Sequence, residues 1–210
     1  MCGIIAYVGQ DEAAPVLLKG LERLEYRGYD SAGLAVQNGK GIDVRRVCGR
    51  IDVLARRVRE APVAGNSGIA HTRWATHGEP NETNAHPHVD TAGLIAVVHN
   101  GIIENADLLR EELRRRGHEF RSQTDSEVLA HLIADQRGPP LQLAVARALR
   151  LVEGTFGIAV ISAAEPERIV CARKGSPLMI GLGRGAIYAA SDASAIIPHT
   201  RRVVYLDDGE

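Results

Sequence analysis

The sequence predicts an α+β or layered-sheet domain in which strands at both ends enclose a helical middle. Three observations carry that reading. An unbroken apolar run at residues 2–8 stops at Gly9. Directly after it, apolar side chains at 14, 17, 18, 21 and 24 recur with the spacing of one helix face. From residue 156 onward the pattern breaks into short apolar runs divided by Gly, Pro and Asp. The chain has 210 residues, 45% hydrophobic and 24% charged, which supports a sizeable core. It contains no internal repeat, low-complexity tract or long linker, so one domain over 1–210 is the economical reading.

Each element has a local reason. Residues 2–8 form a strand and 13–24 a helix; 32–36 form a strand and 44–47 a weaker one, followed by a helix at 51–59. The runs 68–71 and 94–99 each end in a polar cluster, as buried strands do when they deliver side chains to a site. Asn105 is a good N-cap for a helix reaching Arg116, and Gly117 a good residue just past its end. Thr124-Asp125-Ser126-Glu127 has the form of a capping box opening a helix through Ile133. Gly138-Pro139-Pro140 breaks the chain before a helix at 141–152. Strands follow at 156–162, 169–173, 178–182, 186–190 and 203–206. The chain then closes on Asp207-Asp208-Gly209-Glu210 without a capping element, which reads as the N-terminal part of something longer.

Composition excludes several function classes. With 25 basic and 26 acidic residues the net charge is -1, giving no general pull toward nucleic acid or an anionic membrane. The basic run Arg114-Arg115-Arg116 follows Glu111 and Glu112 by one turn and reads as a solvated, ion-paired helix face. Three cysteines, Cys2, Cys48 and Cys171, show no CxxC spacing, so neither a disulfide framework nor a zinc knuckle is expected. There is no signal-like N-terminus and no long apolar span, and the reading is a soluble, cytoplasmic protein.

Four clusters are too polar and glycine-rich for plain core or plain surface. They are Arg27-Gly28-Tyr29-Asp30-Ser31-Ala32-Gly33, His71-Thr72-Arg73-Trp74-Ala75-Thr76-His77-Gly78, His99-Asn100-Gly101 and Thr124-Asp125. Taken singly, each also has a structural reading: an Arg–Asp-held turn, a tight turn at Asn100-Gly101, or a helix cap at Asp125. Histidines 71, 77, 86, 88 and 99 invite a metal, but only His86-Pro87-His88 is closely paired and no HExxH follows, so no metal or other cofactor is expected. Cys2 adds a distinct chemistry. If Met1 is removed, Cys2 carries a thiol and a free α-amine together, the amine having a pKa of about 8 and able to take the thiol proton.

These motifs, with Cys2-Gly3-Ile4, Asn84-Ala85-His86-Pro87-His88 and His99-Asn100-Gly101-Ile102-Ile103-Glu104-Asn105, resemble the class II glutamine amidotransferases. The Arg-Gly-Tyr-Asp-Ser-Ala-Gly wording and Trp74 are most similar to the glucosamine-6-phosphate synthase branch, and the resemblance runs over nearly the whole chain. It implies an N-terminal-nucleophile hydrolase fold, a four-layer αββα sandwich with two antiparallel sheets. It implies hydrolysis of L-glutamine to glutamate and ammonia, with Cys2 as nucleophile and Asn100 and Gly101 holding the oxyanion. Arg27 and Gly28 would order the Cys2 terminus. Arg73, Thr76 and His77 would hold the substrate carboxylate, Asp125 its ammonium group, and Trp74 would gate the ammonia route, with His86 and His99 in support. Fructose-6-phosphate would be used only through a second domain absent from these residues, and the full-length protein would be a homodimer. A sister amidotransferase with another acceptor, or a non-catalytic glutamine-sensing domain, stays open. Cys48 and Cys171 lie outside every motif.

Overall fold

An unbroken apolar strand needs a core on each of its faces, and the N-terminal run receives both. In β1 (Gly3–Gly9), Ile5 and Tyr7 enter one core while Ile4 and Ala6 enter another, the period-2 alternation of an extended chain. The computed structural model describes residues 2–74, 79–136, 138 and 140–210.

β1 lies within a seven-stranded sheet. The sheet's other strands are β2 (Ser31–Gln37), β3 (Ile42–Cys48), β4 (Ser67–Arg73), β9 (Met179–Leu182), β10 (Ala186–Ala190) and β11 (Val203–Tyr205), in the order β11-β9-β10-β1-β4-β2-β3. The second sheet has four strands in sequence order: β5 (His88–Val89), β6 (Ile95–Ile103), β7 (Gly154–Ser162) and β8 (Ile169–Lys174). Neighbouring strands run antiparallel in both sheets.

Helices α1 (Ala13–Leu24) and α2 (Ile51–Glu60) cover the outer face of the first sheet, packing Leu17, Leu21 and Leu54 against Ile5, Tyr7 and Leu34. Helices α3 (Ala106–Arg115), α4 (Glu127–Asp135) and α5 (Leu141–Leu149) cover the second sheet, with Leu129, Leu132 and Val145 against Val97, Ile158 and Val160. Between the sheets lies a layer rich in small side chains: Ala6, Ala35, Ala96, Ala159 and Ala189 among Ile4, Ile69, Val98 and Ile161. The architecture is therefore a four-layer αββα sandwich with two antiparallel sheets. Each fully buried Leu or Ile contributes roughly 1.5–3 kcal/mol to it.

Several local expectations change. Asn105 precedes α3 but makes no side-chain cap; its amide instead bonds Leu151 O at 2.9 Å and Glu153 N at 3.0 Å, tying α3 to the start of β7. The capping box at 124–127 does not close either. Thr124 turns to Ser122 and His88, while Glu127 reaches back to the N–H groups of Arg121 and Ser122. Helix α5 ends at Leu149, three residues before the expected 152, where the chain turns into β7. Asn100-Gly101 is not a turn: β6 continues to Ile103 because β7 pairs with it throughout, His99 facing Ile158 and Gly101 facing Phe156. The arginine run behaves as read, with Glu112 pairing Arg115 at 3.1 Å and Arg116 at 2.8 Å. Gly117, at φ +91°, ends α3 as expected.

Register places the polar clusters together. Antiparallel pairing sets Gly3, at the start of β1, opposite Thr72 near the end of β4, and Ser31, at the start of β2, opposite Arg73. Cys2, the Arg27–Ser31 turn and Arg73 thus share one end of the first sheet, which faces Asn100 of the second.

Candidate active site

Cys2 is held at three points. Its carbonyl oxygen accepts from Arg27 Nε at 3.1 Å and from Asn100 Nδ2 at 3.1 Å, and its Sγ accepts from the Trp74 N–H at 3.4 Å. Arg27 is itself anchored by Asp192 at 3.3 Å, and Asp192 also accepts from the Tyr26 hydroxyl at 2.8 Å. Burial pushes the Cys2 thiol up, against the lowering effect of the Trp74 backbone and of the Arg73 and Arg27 cations. A thiol so placed needs an adjacent base to become a nucleophile.

The orientation of the Asn100 amide follows from its partners. Cys2 O can only accept, so the amide nitrogen faces it and Oδ1 faces the other way, toward His71 Nε2 at 2.9 Å. His71 Nε2 also faces His99 O at 3.1 Å. With two acceptors before it, that nitrogen carries the proton. Burial holds His71 neutral, its pKa lowered to about 3.

Two glycines are required by space. A Cβ on Gly28 would lie 2.6 Å from the Arg73 carbonyl carbon and 2.7 Å from Trp74 N, so only a bare backbone lets this turn press against the end of β4. Thr72 Oγ1 bonds Gly28 O, and Asp30 N bonds Arg73 O at 3.1 Å, closing the same contact. Gly101 sits at φ +140°, and a Cβ there would meet Thr155 O at 2.1 Å. Its need for glycine thus comes from the facing strand β7 as well as from the cavity it lines.

Cys2, Arg73, Trp74, His86, His99, Gly101, Thr124, Asp125 and Ser126 enclose one small cavity of about 30 Å³. Arg73 is buried at 4% exposure, and the nearby anions include Asp125 and Asp30. Asp125 Oδ2 accepts from the Ile103 N–H at 2.8 Å, fixing a carboxylate at the opening of α4. His99 Nδ1 pairs with the Ser126 hydroxyl at 2.7 Å and Nε2 with Thr155 O at 3.3 Å. Trp74 is 44% exposed and stands edge-on to Tyr29, with centroids 5.3 Å apart. Larger clefts of about 860 and 810 Å³ lie elsewhere and contain none of these residues. Among the described residues no group of three His, Cys, Asp or Glu side chains is placed to hold a metal.

The comparisons with known proteins point to the same chemistry. Residues 71–198 match the family described as "Glutamine amidotransferase domain". The chain belongs to that glutamine amidotransferase family. The amidotransferase domain is 54% identical over 216 residues to glutamine–fructose-6-phosphate aminotransferase [isomerizing] of Chlorobaculum tepidum, matching 100% of this chain and 35% of that protein. The Escherichia coli K12 enzyme of the same name is 51% identical, again over 100% of this chain and 35% of its own length. The domain thus spans about a third of the curated relatives it matches. Among solved structures, glutamine phosphoribosylpyrophosphate amidotransferase from B. subtilis superposes with a TM-score of 0.82 at 27% identity, covering 98% of this chain and 44% of its own. A structure titled as the allosteric regulatory enzyme of purine biosynthesis gives 0.84 at 27%, covering 100% of this chain and 45% of its own. The sandwich is the N-terminal-nucleophile fold that the motifs implied.

Of the residues singled out in the amidotransferase domain's sequence, Cys2, Arg73, Trp74, His86, His99, Gly101 and Asp125 line the cavity, and Arg27, Gly28 and Asn100 contact Cys2 or the Arg73 backbone. Thr76 and His77 lie outside the described residues. His86 supports the site by packing alone: neither ring nitrogen has a partner among the described residues, and the ring lies between His71 at 4.1 Å and His88 at 4.4 Å. Three contributors escaped the sequence reading. His71 sits in the quoted motif, but nothing local marks it as the group that orients Asn100. Thr124 was read as a cap. Asp192 lies 165 residues from Arg27, and no local pattern pairs them.

The buried imidazoles make stability depend on acid. Burial lowers His71 and His88 to about 3 and His86 well below 6.5. Between those values and about 6.5 the unfolded chain binds more protons, so the stabilising effect is complete above about pH 6.5 and is lost as pH falls toward 3. The free energy of unfolding, read by denaturant titration, is expected to fall from pH 6.5 to 5 by up to about 1.4 kcal/mol per pH unit for each imidazole. His86→Phe should reduce that slope. An unchanged slope in His86→Phe would show that its ring is solvated in the folded state.

Proposed function

We propose that this chain hydrolyses the side-chain amide of L-glutamine, releasing glutamate and ammonia through a thioester on Cys2. The observation that carries the reading is convergence. A partly buried thiol, a buried guanidinium, a bare Gly101 backbone and a carboxylate meet at one cavity although they come from both sheets and from the start of α4, and the oriented Asn100 carboxamide bonds Cys2 beside it.

In this mechanism the α-amine of Cys2, free once Met1 is removed, takes the thiol proton. The sulfur then attacks the amide carbon. The oxyanion is met by Asn100 Nδ2 and the Gly101 N–H, and the protonated amine returns its proton to the departing nitrogen. Water hydrolyses the thioester, releasing glutamate and restoring the thiol. Arg73 offers a planar fork to the substrate carboxylate and Asp125 an anion to its ammonium group. Arg27 and Gly28 hold the terminus in line, Trp74 controls the exit of ammonia, and His86 and His99 support the walls. Thr76 and His77 complete the carboxylate end.

The domain's relatives are named for fructose-6-phosphate, and the domain matches about a third of them. We place the sugar-phosphate acceptor, the isomerase chemistry and a homodimer contact in the part of such proteins that these residues do not match, and the whole in the cytoplasm. The domain supplies ammonia to that acceptor.

The test is ammonia release. Purified protein with its initiator Met removed, as read by intact mass, should convert glutamine to glutamate and ammonia. With fructose-6-phosphate added, these 210 residues should form no glucosamine-6-phosphate. Absence of glutamine turnover in protein of the correct mass would favour a sensing domain. Arg73→Lys and Asp125→Asn should each raise the KM for glutamine by about tenfold or more with a smaller change in kcat, because an ammonium cannot supply the fork and a carboxamide carries no charge. Unchanged KM in both would place recognition of the zwitterion elsewhere.

A further inference from the structure

His88 and Glu127 take no part in the chemistry above, yet both are buried and belong to one continuous bonded run. Glu127 accepts from Arg121 N at 2.9 Å, Ser122 N at 2.8 Å and Ser122 Oγ at 2.7 Å. Burial works against its charge; His131, at 3.8 Å, together with these donors outweighs that, holding the carboxyl at about 2. An anion at this point sets the direction of every bond downstream. The Ser122 hydroxyl spends its proton on Glu127, so it accepts from Thr124 Oγ1 at 3.0 Å. Thr124 Oγ1 then accepts from His88 Nε2 at 2.9 Å. Thr124 precedes Asp125 in the chain. On its other side His88 lies edge-on to His86, and His86 packs at a tilt against His71, the ring that orients Asn100.

We infer that His88 is a positioning residue for glutamine recognition: by donating Nε2–H to Thr124 it fixes the Asp125 arm of the cavity against the Asn100 arm. The inference rests on reading Asp125 as the acceptor of the substrate ammonium. The three rings act as a rigid spacer: His88 lies on β5 beside β6, which carries Asn100, while His71 reaches across from β4 of the facing sheet. Loss of the His88–Thr124 bond loosens one arm and leaves the other, because His71 still holds the Asn100 amide. The damage therefore falls on glutamine binding and not on the chemical step.

The experiment measures glutamine affinity by calorimetry in a Cys2→Ala background, and KM and kcat in protein retaining Cys2. His88→Phe keeps a ring in the stack and removes the donor. It is expected to raise both Kd and KM about tenfold, the loss of one buried hydrogen bond, with kcat within about twofold. His88→Gln, whose amide N–H reaches close to the same point, should recover most of the affinity. A purely packing role would give the reverse order, Phe better than Gln. Thr124→Val should weaken binding on its own and add nothing further when combined with His88→Phe. Unchanged Kd and KM in His88→Phe, a fall confined to kcat, or additive effects of the two substitutions would overturn the inference. Should His88→Phe fail to fold, unchanged affinity in Thr124→Val overturns it as well. If the protein retaining Cys2 binds glutamine but releases no ammonia, the glutaminase reading fails, while the calorimetric comparison still decides the role of His88.

Discussion

Glutamine hydrolysis by Cys2→Ala protein is expected to fall to the uncatalysed background while the thermal unfolding curve stays in place. The substitution removes only the sulfur, which is partly buried, and leaves the backbone carbonyl that Arg27 and Asn100 hold. The other two thiols provide the control. Cys48 is exposed, its Sγ–H directed at Pro80 O at 3.3 Å. Burial of the Cys171 thiol pushes it up to about 12, so it does not ionise near neutral pH. Cys48→Ala and Cys171→Ala should therefore keep ammonia release. A folded Cys2→Ala protein that still turns over glutamine would remove the proposed mechanism entirely.

The second large effect is expected at Asn100. Asn100→Ala should lower kcat by about 10²–10³, the cost of one oxyanion donor, with KM little changed. His71 offers an independent check of the orientation argument. His71→Leu leaves the amide without the group that fixes its Oδ1, so it should lower kcat in the same direction but by less. A kcat for Asn100→Ala within about threefold of the unsubstituted protein would assign the oxyanion to other donors.

How much of this could be read from the sequence depended on how local each cause is. The strand at β1 follows from an unbroken apolar run and the helix α1 from periodicity, and α1 spans the expected 13–24 without change. Arg73, Asn100 and Gly101 stood out because polar clusters there follow apolar runs that have to be buried, Asp125 because it opens a helix, and Cys2 because it is the second residue; their roles came from the family resemblance. Partners chosen by tertiary docking did not stand out. Asn105 had a free choice between its own helix and the β7 entry, and the distant backbone won. Asn100-Gly101 has the composition of a turn but is straightened by nine paired positions with β7. The two-residue β5 is too short to show any period, and its His88 pairs with Val97 only because β6 passes beside it. The meeting of Arg27 with Asp192 requires β10 to dock beside β1, which no rule of neighbouring residues contains.

The thin alanine layer between the sheets has a consequence for how such a protein can vary. Cys2 and Arg73 lie at the end of one sheet and Asn100 in the other, so the alignment of the proposed nucleophile and oxyanion donor is set by a layer in which alanines alternate with larger aliphatic side chains. Ala96 and Ala159 act as shims. Enlarging one of them, as in Ala159→Leu, should prise the two halves of the cavity apart by a fraction of an ångström to an ångström and cost about 1–3 kcal/mol of stability. Far-UV circular dichroism would hold while ammonia release falls sharply, because catalysis tolerates misalignment far less than folding does. Full activity in a folded Ala159→Leu protein would mean that the two halves are aligned by their loops.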